Sequence, residues 1–201
     1  VDAEIAKYAS LLSVWRNQRY ANESEVAGLP MRIESNERLL AALMADAERA
    51  HAVLGTDLVV NVHGRTYRGR DEIGEVLRAT VRSGRASISR SARDEVIGTV
   101  GAFELCVFIG RAEDEVHLFV RGASSHECRP CQTGPALHAS LVETIREIAP
   151  HRDDCAQRLA RMRSKLEGLA AELQRPFEHE DRLATLIARQ RELEAELDLG
   201  K

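Results

Sequence analysis

Residues 155–173 read CAQRLARMRSKLEGLAAEL, and Leu159, Met162, Leu166, Leu169 and Leu173 recur at spacings of 3, 4, 3 and 4. Two apolar positions in seven make a coiled-coil seam. Arg, Lys, Glu and Gln fill most of the other positions, so only a narrow stripe can be buried. A helix of this kind is unstable alone in water and needs a partner. The stretch from about Met31 to Leu54 supplies one. Ile33, Leu40, Ala47 and Leu54 keep a sevenfold period there, with Leu43 and Ala50 at the half-steps. Gly55-Thr-Asp57 ends that run, Gly being the natural residue just past a helix end.

Other helices flank this pair. Ile5, Tyr8, Leu12, Trp15 and Arg19 share one face of a first helix over Ala3 to Tyr20, and Ala27-Gly-Leu-Pro30 is expected to break it from the second. The basic and aromatic run Trp15-Arg-Asn-Gln-Arg-Tyr20 either caps a core, the plainer reading, or stacks on bases. Helix is expected to resume near Pro135, pause at Pro150 and stop before Pro176, which reads as a first-turn residue of the last helix. That helix carries Leu183, Leu186, Leu193 and Leu197, with Gln190 as a polar register device in the seam.

Between the two seams the pattern becomes β-branched. Asp57 to Tyr67 predicts a hairpin with a His-Gly-Arg turn, and Asp71 to Thr80 a short helix with acidic residues in its first turn. Ser83 to Arg93 reads as a polar loop. Strands are expected at Glu95–Val100, Phe103–Ile109 and Glu115–Val120, with Arg111 to Asp114 as a turn. Together they form a three- or four-stranded antiparallel meander, with Val107 and Phe119 facing the short helix. Gly122 to Thr133 reads as a cysteine-bearing loop. The expected fold is α+β: a long antiparallel helical coiled coil, 31–54 against 153–174, bearing a small antiparallel β-sheet subdomain. Its segments are 1–56, 57–133 and 134–201.

Four sets of residues invite a chemical reading. From Arg65 to Arg93 there are eight arginines against three acids, and Arg65, Arg68, Arg70, Arg82, Arg85, Arg90 and Arg93 are candidates for following a phosphate backbone. The bland reading is a solvated surface, and a net charge of -4 argues against a general nucleic-acid binder. His126, Cys128 and Cys131 offer three of the four ligands a tetrahedral zinc needs, with His138, Cys106 or His117 to complete the set. The plainer reading, a loop with two ordinary thiols, makes the expected protein metal-free, without a cofactor. Ser124, Ser125 and His126 are adjacent without implying a general base, and Glu178, His179 and Glu180 read as a charged first turn. No phosphate loop, dinucleotide fingerprint or His-Glu-x-x-His motif is present, so this chain is not expected to be an enzyme.

No run of about 18 apolar residues occurs, so no membrane span is expected. Four Cys in 201 residues make no disulfide framework, and a reducing cytoplasm is the default. The chain starts at Val1, as expected of a domain from a larger protein.

Several stretches together resemble one family. They are Trp15-Arg-Asn-Gln-Arg-Tyr20 with Gly28-Leu-Pro30, Gly64-Arg-Thr-Tyr67 with Ile73, Gly74 and Leu77, and Gly101-Ala-Phe-Glu-Leu105. Arg175-Pro-Phe-Glu-His-Glu180, with Leu183, Leu193 and Leu197-Asp-Leu199, completes the set. The chain from about Trp15 to Lys201 is similar to the C-terminal region of very large phage and conjugative-plasmid proteins. These combine an N-6 adenine DNA methyltransferase with a superfamily 2 helicase of the strawberry-notch or DarB antirestriction type. The catalytic motifs of that family are absent here, so no catalytic residue carries over. The resemblance implies a noncatalytic accessory module whose partners are DNA or other domains of a larger parent chain. The alternative is a coiled-coil interaction or oligomerisation module, such as a homodimer, without nucleic-acid binding.

Overall fold

The computed structural model describes residues 1–86, 93–110 and 116–199, the side chains of 85, 86, 93 and 197–199 excepted. They form an α+β protein, with helices α1 (Asp2–Leu54), α2 (Arg70–Ala86), α3 (Gly134–Leu173) and α4 (Glu180–Leu199). The strands are β1 (Val60–Val62), β2 (Arg65–Tyr67), β3 (Arg93–Val100), β4 (Phe103–Ile109), β5 (Val116–Arg121) and β6 (Ser125–Glu127). The chain divides into two compact units, residues 36–158 and residues 1–35 with 159–201.

The unit of 36–158 holds a six-stranded antiparallel sheet in the order β2-β1-β3-β4-β5-β6. Alternation along each strand sends Val107, Leu118 and Val120 to one face, where Leu77 of α2 and Leu141 and Ile145 of α3 close the core. Ala47, Ala50 and Val53 of α1 join the same core. α2 and α3 approach closely: a Cβ on Gly74 would stand 2.3 Å from the Gly134 carbonyl oxygen. Only glycine permits that packing.

The expected hairpin is present, and its turn residues His63 and Gly64 both have positive φ, 48° and 78°. Two such residues between paired strands make the turn whose twist matches a hairpin. α2 continues to Ala86, through part of the stretch expected as a loop. Ile73, Leu77 and Val81 keep one buried face there, so packing extends the helix past Ser83. The meander gains β6, inside the expected cysteine loop, because Ser125, His126 and Glu127 pair with β5. Phe119 does not face α2: it pairs with Cys106 on the opposite sheet face from Val107, a consequence of the two-residue strand period. The expected turn at 111–114 lies outside the described residues.

In the unit of 1–35 and 159–201, Ile5, Tyr8, Leu12, Trp15 and Arg19 are half-buried in a row, as their spacing predicts. Lys165 Nζ meets Glu25 Oε1 at 2.5 Å, so the seam around Leu166 runs beside the end of α1's first half. Leu40, its expected partner, belongs to the other unit. There Cys155 Sγ lies 3.6 Å from the Asn36 carbonyl oxygen. The long coiled coil of 31–54 with 153–174 is therefore not shown. The reason is register: the repeat on α1 continues from Ile5 to Ala50, and a seam of uniform period fits any stretch of it.

Both expected helix breaks are absent, since α1 runs through Pro30 and α3 through Pro150. An interior proline costs about 3 kcal/mol through its missing N–H and its ring. Leu29, Ile145 and Ile148 are almost fully buried beside these prolines, and that packing offsets the cost. The last break is real, but α4 begins at Glu180 rather than Pro176.

Candidate functional site

A densely connected polar cluster centres on Asp46, which the sequence did not single out. Asp46 lies on α1 one residue before core Ala47 and is 0% exposed. Its Oδ1 accepts the Ala123 amide at 2.7 Å, and its Oδ2 accepts the Ser124 amide and the Ser124 hydroxyl, each at 2.8 Å. His126 Nε2 lies 3.0 Å from Asp46 Oδ2, and Arg49 Nη1 lies 3.0 Å from Oδ1. The turn between β5 and β6 thus wraps a carboxylate.

Burial pushes the Asp46 carboxyl up, but the hydrogen bonds from Ala123, His126 and Ser124 outweigh it and hold the group below the ordinary carboxylate range. An ionised Asp46 accepts but never donates, which fixes a proton on His126 Nε2 and turns the Ser124 hydroxyl proton toward the carboxylate.

Asp, His and Ser together invite comparison with a nucleophilic triad, and the geometry refutes it. A triad histidine uses one ring nitrogen for the carboxylate and the other for the serine. Here Ser124 Oγ, at 3.0 Å, and Asp46 Oδ2 meet the same nitrogen. No base is left to activate Ser124, so the cluster is a clamp.

Beside the clamp lies a cavity of about 410 Å³. Ser124, Ser125 and His126 form one wall, Leu39 and Leu43 another, and His151, Asp154, Cys155 and Arg158 a third. Those four share one face of α3 by their helical spacing.

The structure separates the proposed zinc ligands. His126 and Cys128 point to the core side of the sheet, whereas Cys106 and His117 lie on its other face. Cys128 is buried, and desolvation pushes its thiol up to about 12 against a hydrogen bond from Thr144. Cys131 packs at the edge of the same core. Among the described residues no group of three His, Cys, Asp or Glu side chains is placed to hold a metal ion.

The arginines are strung along one segment. Arg65 is exposed on edge strand β2, and Arg68 and Arg70 are exposed around the start of α2. Arg68 and Arg70 share a cavity of about 380 Å³ with Asp57 and His138. Burial and the Arg70 charge hold His138 below its usual value, with Asp71 opposing them. Arg82 is exposed farther along α2. Arg90 and the side chains of Arg85 and Arg93 lie outside the described residues.

Glu178 and His179 sit in the turn before α4, and Glu180 opens that helix. The ring of His179 meets Tyr8 at a tilt and Phe177 edge-on, with centroids at 5.1 and 5.7 Å. Phe177 packs on Trp15 at 5.9 Å. The Pro-Phe-Glu-His-Glu motif is thus an aromatic plug within its unit, with Trp15 in the core-capping role.

No described helix is long and apolar enough to cross a membrane. Comparisons with protein-family models, curated proteins and solved structures give no match.

Proposed function

We propose that this chain is a noncatalytic accessory module of a DNA-processing protein of the methyltransferase–helicase type, contacting DNA phosphates through Arg65, Arg68, Arg70 and Arg82. One contrast supports it. In the same unit Arg49, Arg78, Arg121 and Arg129 each hold a carboxylate, whereas Arg65, Arg68 and Arg82 have no ion-pair partner among the described residues. Exposed cations without internal partners are available to phosphates. From Arg70 to Arg82 the helix rises roughly 18 Å, a span of several phosphates along one strand.

The test is binding of labelled duplex and single-stranded DNA over a salt series. Each phosphate contact removed by Arg65→Gln, Arg68→Gln or Arg82→Gln is expected to lower the slope of log affinity against log salt by roughly 0.9 on duplex. Absence of binding at low salt, or slopes that ignore these arginines, overturns the reading.

A second reading, a helical oligomerisation module, draws on the outer side of α1, where Tyr20 and Met31 are 75% and 76% exposed. Exposed apolar residues of this size favour a partner surface. Light scattering over a concentration series separates the two: a dimer lost on Tyr20→Ser with Met31→Ser belongs to the second.

A further inference from the structure

We propose that the uncovered face of the sheet is a docking surface for a basic, partly apolar segment of a partner protein, with one Lys or Arg side chain entering the pocket between Phe108 and Phe119. The inference does not depend on the DNA reading, which uses other residues.

The face is built by the strand period. Pairing of Cys106 with Phe119 and of Phe108 with His117 sets four side chains together on the side away from the helices. The rings form a continuous row, with His117 centred 6.4 Å from both Phe108 and Phe119. Val96 extends the apolar area on β3 and is 51% exposed, an unusual position for a β-branched residue in a central strand. Cys106, only 1% exposed, lies beneath. No helix among the described residues supplies a core contact to this face, whereas the opposite face carries α1, α2 and α3.

A pocket of about 180 Å³ opens on this face, lined by Asp94, Cys106, Phe108, Phe119, Arg121 and Ser125. Ligand cavities for small molecules run from about 300 Å³ upward, so this pocket fits a single side chain. Its charges select the sign of that side chain. Arg121 is already held by Asp94, at 2.5 Å, and by Glu104, at 2.9 Å. Two carboxylates thus flank one guanidinium, while Glu127 on the same face lies against His117. The excess is negative, and aromatic rings beside it attract cations through their faces. A Lys or Arg entering here meets ring faces and the Asp94 carboxylate, with Glu104 bound to the neighbouring Arg121. Stacked aromatics on an open sheet also suit single-stranded nucleic acid. The carboxylate rim opposes a phosphate backbone, and that decides for a basic peptide.

The experiment uses the full chain and three labelled probes: a short peptide of Arg, Leu and Ser, its counterpart with Glu for Arg, and oligo-dT. Fluorescence anisotropy reports binding, and amide chemical shifts locate it. The Arg peptide is expected to bind, to shift the amides of Phe108, Phe119 and Arg121, and to lose about tenfold in affinity with Asp94→Asn plus Glu104→Gln. Val96→Lys, at an exposed position, is the second probe and is expected to weaken the Arg peptide with no change in thermal stability. Equal binding of the Glu peptide overturns the proposal, as does oligo-dT shifting the same amides in place of the Arg peptide. Indifference of the Arg peptide to both variants, or no binding of it at all, does so too.

Discussion

Asp46 Oδ2 and His126 Nε2 lie 3.0 Å apart although eighty residues separate them in sequence. The contact ties α1 to the β5–β6 turn, and Ser124 and Ala123 share it. Removing the carboxylate takes the acceptor from two amides, a hydroxyl and a buried imidazole. Asp46→Ala is therefore expected to cost about 3 kcal/mol by denaturant unfolding at pH 7. A loss under about 0.5 kcal/mol would show that water replaces the carboxylate.

The same group has a pH signature. Its folded value lies below the ordinary one, so its contribution is full above the unfolded value of about 4 and is lost as pH falls through the folded value. Wild-type stability is expected to fall across that acid range. Asp46→Asn, neutral at every pH, should flatten this part of the stability curve relative to wild type, leaving the slope from other carboxylates. Parallel acid limbs in the two proteins would contradict the assignment.

Gly122 belongs to the clamp through what it lacks. A Cβ there would lie 2.0 Å from Asp46 Oδ1 and 2.8 Å from Arg49 Nη1. Gly122→Ala is expected to cost about 2 kcal/mol, in the range of other overpacked sites. In an Asp46→Ala background the same change should cost much less, because the obstructing oxygen is gone. A double-mutant cycle with no coupling would place the cost elsewhere.

The sequence disclosed what local periodicity can disclose. Val60 to Tyr67 announced its hairpin through the His63-Gly64 turn, and β3, β4 and β5 followed from β-branched runs. Register and partnership were illegible for a physical reason. The seam on α3 has one period along its length, and nothing local distinguishes Glu25 from Leu40 as its neighbour. Pro30 and Pro150 signalled breaks that packing overrode, because a local penalty of a few kcal/mol is smaller than the burial on either side. Asp46 was hidden for a related reason. In sequence it is one acid on a charged helix, and only the fold brings Ser124 and His126 to it. A polar residue between core Leu43 and Ala47 was the available signal, since buried carboxylates are rare without partners.

The four cysteines should separate sharply in reactivity. Cys106, Cys128 and Cys155 are buried and Cys131 is only half-buried. The Cys128 thiol, pushed up to about 12 by burial, carries almost no thiolate at pH 8. A maleimide reagent is expected to label Cys131 first in native protein and the other three only on unfolding. Since Cys128 and His126 are committed to the core and to Asp46, equimolar zinc should leave the melting temperature unchanged. Rapid native labelling of Cys128, or a zinc-dependent rise in melting temperature lost on Cys128→Ser, would reopen a metal role for this loop.

Phe177 offers a test in the helical unit with a built-in reporter. Trp15 is the chain's one tryptophan, and it packs on Phe177 at a centroid distance of 5.9 Å while Arg19 covers the ring at 5.3 Å. Phe177 is 8% exposed and also meets His179 edge-on at 5.7 Å, so it fills the gap left where α3 ends and α4 has not begun. Phe177→Ala removes that ring from a place where helix ends restrict collapse. The expected cost is about 3 kcal/mol, at the low end for a buried phenylalanine because Trp15 is only half-buried. Trp15 should become more hydrated, with its emission shifting to longer wavelength in the folded protein. Phe177→Leu, which keeps apolar volume, should recover most of the stability but not the ring contact, worth about 1 kcal/mol. An unshifted emission spectrum in folded Phe177→Ala would mean that the motif closes the α3–α4 turn by its backbone alone.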